Sequence, residues 1–273
     1  MRIGVVAPGG PVAPGLETRL AAVVAALPPH ARPEIRFHPQ CFAASGHFAG
    51  DDALRAQAFL DVANDARFDA VWFARGGYGS FRLIETVLPR LGAAARGKIY
   101  LGYSDVGALL GALYGAGIGC CAHGPMPIDL DRPGGEAAAL RALAFLAGDD
   151  AALEPAAARH APAAAFNITI LCHLIGTPWL PDLAGHALVL EEVNEPMYRI
   201  DRALGQIAGV PAIRRAAGIL LGRCGAIVPN DPDFGQGEDE VARFWCARSG
   251  IPYLGRADIG HDADNKVVRF GVW

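Results

Sequence analysis

Short apolar runs that stop abruptly at glycine, proline or a small polar residue recur along this chain, and a segment with helical spacing follows nearly every one. Arg2–Ala7 is the first such run; Pro8-Gly9-Gly10-Pro11 closes it and the helix-spaced Leu16–Leu27 follows. Ile35–Phe37, Phe68–Ala74, Lys98–Tyr103 and Ile118–Ala122 read as further strands. Asp51–Ala66 reads as a helix with Leu54, Ala58, Phe59 and Val62 on its apolar positions and acidic residues in its first turn. Ser80 looks like the start of another, ahead of Phe81, Ile84 and Val87; Val106–Tyr114 and Glu136–Leu146 read as two more. The second half repeats the pattern: helix Ile168–Ile175, strand His186–Val193, helix Arg199–Ala208, strand Gly218–Val228, helix Asp239–Ser249 and a strand around Tyr253–Leu254. A chain that alternates in this way must layer helices on a largely parallel sheet, an α/β fold. In such folds, ligand sites gather at the carboxyl ends of the strands.

Gly148–Ala165 breaks the rhythm. It is rich in alanine and proline and has no clear period, so it reads as a linker. The expected organisation is therefore a domain over 1–147, a linker over 148–165 and a smaller domain over 166–273.

Composition narrows the function classes. The 273 residues are 52% hydrophobic and 19% charged, which supports a large core and excludes a disordered or fibrous chain. The formal net charge is only −4 and there is no long basic run, which argues against nucleic acid or an anionic membrane as partner. Val106–Ile128 and Ala161–Pro181 are uncharged and long enough to span a bilayer. The first holds six glycines with Pro125 and Pro127, and the second holds Pro162, Gly176, Pro178 and Pro181, so both read as buried helix, turn and strand. The start of the chain breaks between Pro8 and Pro14 and lacks the pattern of a signal peptide, so a cytoplasmic protein is expected. The six cysteines form no Cys-x-x-Cys pair and read as buried small hydrophobes. The histidines show no metal-binding spacing; no metal and no cofactor are expected.

Three strand ends could carry chemistry. Arg75-Gly76-Gly77-Tyr78-Gly79-Ser80 would let backbone N–H groups approach an anion or oxyanion closely, though a structural turn has the same composition. Gly102-Tyr103-Ser104-Asp105-Val106-Gly107 has the layout of a nucleophile elbow, with a serine between a buried strand and an apolar helix. Its spacing is not Gly-x-Ser-x-Gly, and a plain helix N-cap at Ser104 or Asp105 would read alike. Leu188-Val189-Leu190-Glu191-Glu192 puts carboxylates at a sheet rim, where they could equally be solvated, and Ile259-Gly260-His261-Asp262 offers a loop histidine. In chain order Ser104, Glu191 and His261 form the set that serine hydrolysis needs: a nucleophile, an orienting carboxylate and a base.

These segments resemble the LD-carboxypeptidase family of serine peptidases, which includes muramoyltetrapeptide carboxypeptidases and the microcin C self-immunity peptidases. The resemblance runs nearly end to end. It rests on Ile3-Gly4-Val5-Val6-Ala7-Pro8, Ala49-Gly50-Asp51-Asp52 with Arg55, and Ala70–Ser80 with Arg82-Leu83. It continues through Gly102-Tyr103-Ser104-Asp105, His123-Gly124-Pro125, Gly176-Thr177-Pro178, Leu190-Glu191-Glu192, Tyr198-Arg199-Ile200-Asp201-Arg202 and Gly260-His261 with Asn265. Two positions depart from the family pattern: Gly107 stands where a threonine or serine is usual, and Ala164-Ala165-Phe166-Asn167 replaces Gly-Gly-Asn-Leu.

The resemblance implies two α/β domains with the active site in the groove between them. It implies Ser104 as nucleophile, His261 as base and Glu191 as acid, with Glu192 the second candidate because the two carboxylates are adjacent; on a strand they face opposite sides, so only one can enter the site. It implies an oxyanion hole from the backbone N–H groups of Gly77 and Asp105. The implied substrate is a murein tetrapeptide, cut at its terminal D-alanine during cell-wall recycling, and the implied assembly is a homodimer. Arg75, at the strand end beside the hole, is the candidate for binding the substrate's terminal carboxylate. Two other functions stay open: a related peptidase cutting an aminoacyl-nucleotide amide, and a non-enzymatic binder holding an anion or nucleotide on the glycine-rich turn.

Overall fold

A computed structural model describes residues 1–272. β1 (Arg2–Val6), β2 (Glu34–Phe37), β3 (Ala70–Phe73), β4 (Ile99–Gly102) and β5 (Cys120–His123) run parallel in the spatial order β2-β1-β3-β4-β5. Both faces are covered, as a parallel sheet requires. Ala70 and Trp72 on one face meet Leu16, Leu20 and Val23 of helix Leu16–Ala26, together with Ala139, Ala142 and Leu143 of helix Gly135–Leu146. Val71 and Phe73 on the other meet Phe59 of helix Asp52–Ala63 and Leu109 of helix Gly107–Gly115. The strand order reverses between β1 and β3, which makes the carboxyl ends there the natural place for a crevice.

The second sheet is all parallel: β6 (Ala163–Asn167), β7 (Ala187–Val193), β8 (Gly218–Gly225) and β9 (Tyr253–Arg256), in that order. Helices Ile168–Leu174, Met197–Gly209 and Glu238–Ser249 accompany it. Phe73 and Leu109 of the first layer share one continuous core with Leu188 and Leu221 of the second.

Two elements differ from expectation. Ala163–Ala165, expected at the end of the linker, opens strand β6, and Asp150–Ala152 and Pro155–Arg159 form short helical turns. Alanine is a poor strand former by propensity. Here every residue of β6 is buried and the strand packs against β5, so small side chains suit a close approach of the two sheets. We place the boundary between the halves ahead of Ala163. The second unforeseen element is β10 (Val268–Arg269), which pairs antiparallel with β5. It returns the end of the chain to the first sheet and so lays the preceding loop, which contains His261, across the ends of β4 and β5. The two long uncharged stretches resolve into helix, strand and turn, and among the described residues no helix is long and apolar enough to cross a membrane.

Candidate active site

β4 ends at Gly102, and Ser104 follows in the left-handed region with φ 63°. A non-glycine residue there costs about 1–3 kcal/mol, so the surrounding structure must hold it. Part of that hold comes from Asp105. Its buried carboxylate accepts the Ser80 N–H at 2.9 Å, and the Ser80 hydroxyl donates to the Asp105 carbonyl at 2.7 Å. Burial pushes the Asp105 carboxyl up, against the hydrogen bonds from Ser80 and the Gly79 N–H. The side chain of Arg55, itself buried, donates to the carbonyls of Pro8 and Gly79 and pairs with Asp52. The glycine-rich turn after β3 is thus clamped to the serine segment from one side and to the turn after β1 from the other.

His261 reaches this turn from the loop after β9. Its Nε2 accepts from the Ser104 hydroxyl at 2.9 Å, and its Nδ1 donates to Glu191 Oε2 at 2.6 Å. Glu191 is fully buried on β7. Leu190 pairs with Leu221 but Glu192 pairs with Cys224, so two residues of β8 oppose Glu191. One of them is Gly222, where a β-carbon would fall 3.0 Å from that of Glu191 and 2.7 Å from the Ile259 side chain. A side chain at 222 would therefore push Glu191 off the histidine. Burial disfavours the imidazolium, but the Glu191 carboxylate outweighs it, and the His261 pKa is raised.

The adjacent carboxylate points the other way. Glu192 accepts from Asn167 Nδ2 at 2.6 Å, from the Thr169 hydroxyl at 2.7 Å and from the N–H groups of Thr169 and Val193. Burial pushes its carboxyl up while these donors oppose the shift. Nothing in the sequence marked Thr169 as a partner of this carboxylate. The contact exists because helix Ile168–Leu174 starts directly at the end of β6, a strand that composition concealed.

Ser104, Gly77 and Asp105 open on a cavity of about 540 Å³ whose opposite wall carries Asn167, Thr169 and Glu192. The structure does not bring Arg75 to this cavity. Its Nη1 donates to the Pro11 carbonyl at 2.8 Å and its Nε to the Gly76 carbonyl at 3.3 Å, so it ties the turns after β1 and β3 together. Cys41 and Cys172 are buried, and burial pushes each thiol up to about 12, which leaves neither as a nucleophile. Among the described residues, no three His, Cys, Asp or Glu side chains converge to hold a metal ion.

A serine hydroxyl, an imidazole and a buried carboxylate in one hydrogen-bonded line can generate an alkoxide equivalent beside a cavity. Known proteins resemble the chain over most of its length. The model of the LD-carboxypeptidase N-terminal domain matches residues 3–124, and that of the C-terminal domain matches 162–273. A Synechocystis sp. protein provisionally named a carboxypeptidase is 33% identical over 233 residues, covering 83% of this chain and 75% of its own. A murein tetrapeptide carboxypeptidase of Pseudomonas aeruginosa is 28% identical over 244 residues, covering 82% of this chain and 78% of its own. The crystal structure of a muramoyltetrapeptide carboxypeptidase from Oxalobacter formigenes superposes with a TM-score of 0.82 at 22% identity, over 99% of this chain and 93% of that one. The structure of MccF in complex with glutamyl sulfamoyl guanosine superposes with a TM-score of 0.80 at 17% identity, over 99% and 91%. These two structural likenesses speak to the fold. With both halves of the chain matched in order by the paired models of one family, the protein belongs to the LD-carboxypeptidase family of serine peptidases.

Proposed function

We propose that this protein hydrolyses the amide bond between the L-centre of a diamino acid and a terminal D-alanine in murein tetrapeptide. One observation carries the reading: the unbroken line from Ser104 through His261 to Glu191, opening on a cavity. His261 Nε2 takes the Ser104 proton as the oxygen attacks the carbonyl carbon, and the carbonyl oxygen becomes an oxyanion. Gly77 and Asp105 line the same cavity as Ser104, and their backbone N–H groups are assigned to that oxyanion; losing one such donor costs about 10²–10³ in rate. His261 then passes the proton to the amine nitrogen as the bond to D-alanine breaks, leaving an acyl-serine. Water, deprotonated by the same imidazole, hydrolyses the ester and restores Ser104. Glu191 fixes the Nδ1–H tautomer and stabilises the imidazolium.

Release of D-alanine from murein tetrapeptide suits a cytoplasmic enzyme of cell-wall recycling, and a homodimer is the assembly we expect. The P. aeruginosa relative is named for that substrate. A second reading has its own support. Tyr78 lines the cavity and is 54% exposed, and neighbouring Phe81 meets Trp179 edge to face at 5.0 Å, an aromatic rim on which a nucleobase could stack. The 2.9 Å contact between Ser104 and His261 weighs against a non-enzymatic anion binder.

A substrate panel decides between the two amides. Mass spectrometry of reactions with L-Ala-γ-D-Glu-meso-diaminopimelate-D-Ala, its L-Ala-terminated isomer and an aminoacyl sulfamoyl nucleoside should show cleavage of the first alone. Cleavage of the nucleoside, with the tetrapeptide intact, would replace the murein assignment.

A further inference from the structure

Asp129 is wholly buried in the turn after β5, outside every segment that the sequence marked as functional. Three donors from three places meet its carboxylate. The Tyr103 hydroxyl donates to Oδ1 at 2.8 Å, the Met126 N–H donates to Oδ2 at 2.8 Å, and Arg132 Nε lies 3.3 Å from Oδ1. Two of these donors lead directly to the catalytic line. Tyr103 immediately precedes the strained Ser104, and its ring lies 4.9 Å from that of His261. Arg132 donates through Nη1 to the backbone carbonyl of His261. One carboxylate therefore grips the residue before the nucleophile and, through a single guanidinium, the backbone of the base.

We propose that Asp129 is a positioning residue that registers Ser104 against His261, acting through the Tyr103 hydroxyl and the Arg132 guanidinium. Ser104 and His261 lie 157 residues apart and on segments of different sheets. Their 2.9 Å contact needs a cross-brace, and Glu191 braces only the imidazole. Asp129 supplies the link from the nucleophile side. Its charge also faces the imidazole and favours the imidazolium, while Arg132 opposes it. Other ionisable groups near that ring include Glu191, which favours the cation, and His123 and Tyr103. Burial lowers the His123 pKa to about 4 and raises that of Tyr103, so both are neutral near pH 7.

The inference rests on the assignment of Ser104 and His261 as nucleophile and base, and its test is built so that the two can fail separately. Asp129→Asn keeps the shape but offers one acceptor where the carboxylate has two, so one of its donors must be abandoned. Tyr103→Phe removes a single hydroxyl and serves as the milder variant should Asp129→Asn not fold. The first readout is the His261 imidazole titration followed by NMR, which needs no activity. The midpoint should move to lower pH in Asp129→Asn. The second is kcat and KM for D-alanine release, normalised to serine labelled by a fluorophosphonate. kcat should fall by about 10- to 100-fold with KM changed less than threefold. The third is a double-mutant cycle: on a Tyr103→Phe/Arg132→Met background, Asp129→Asn should cost less than about threefold.

An unshifted His261 titration together with an unchanged kcat per labelled site would overturn the proposal. So would full additivity in the cycle, because Asp129 would then act by another route. If the wild-type protein releases no D-alanine, the hydrolytic assignment fails, while the titration still decides whether Asp129 positions the imidazole.

Discussion

Gly76 lies directly against Ser104: a β-carbon on Gly76 would sit 2.8 Å from the Ser104 β-carbon and 3.0 Å from its hydroxyl oxygen. That is closer than van der Waals contact allows, so any side chain at 76 must displace the serine or the turn. Gly76→Ala should lower kcat for D-alanine release by about 100-fold, since a shift near 1 Å breaks the attack geometry. Circular dichroism and the unfolding midpoint should stay close to wild type. Normal turnover in Gly76→Ala would show that the contact does not constrain the nucleophile.

The raised pKa of His261 has a signed consequence for pH dependence. The base must be neutral to accept the serine proton, so kcat/KM should rise with pH through a midpoint above the ordinary histidine value of 6.5. Glu191→Gln removes the negative charge that raises it, and the midpoint should fall. The same pair bears on stability. A raised folded-state pKa gives a contribution that is complete below pH 6.5 and is lost as pH climbs through the folded value. The unfolding temperature of wild type should therefore exceed that of Glu191→Gln by more at pH 5.5 than at pH 8.5. An equal gap at both would mean that the pair carries no linked proton.

Adjacent carboxylates separate the two possible acids. Glu191→Gln should lower kcat by about 10³–10⁴-fold, through the wrong histidine tautomer. Glu192→Gln should cost less than about tenfold in kcat and act mainly on KM, because Glu192 lines the cavity and bonds Asn167 and Thr169, not the histidine. Equal loss in the two would undo the assignment of the acid.

Arg75 bonds the carbonyls of Pro11 and Gly76 and stands away from the cavity lining. Arg75→Ala should therefore lower the unfolding free energy by about 1–3 kcal/mol, the cost of orphaning a part-buried acceptor. KM for the tetrapeptide should stay within about threefold. A selective rise in KM, with stability unchanged, would instead give Arg75 the terminal carboxylate.

The parts of this molecule that could be read in advance are those where local pattern and tertiary role agree. β3 and β4 are apolar runs that end at the Gly-rich turn and at Ser104, and they occupy those places in the first sheet. β6 escaped because Ala163–Ala165 is a strand by burial between two layers, with no propensity or period to mark it. β10 is two residues long and exists only through pairing with β5. Asp129 was equally silent: one aspartate after a proline looks like any turn, and its significance comes from Tyr103 and Arg132 converging on it. Ser104, Glu191 and His261 could be named from their segments and a family resemblance. Their contact depends on β10 and the loop before it, which no local signal predicted.

The most direct test of the account is D-alanine released from L-Ala-γ-D-Glu-meso-diaminopimelate-D-Ala by purified wild-type protein and by Ser104→Ala, measured side by side with a D-amino-acid oxidase assay. The account predicts steady release by the wild type and a loss of about 10⁶-fold, to background, in the variant. Release by Ser104→Ala at the wild-type rate would contradict it.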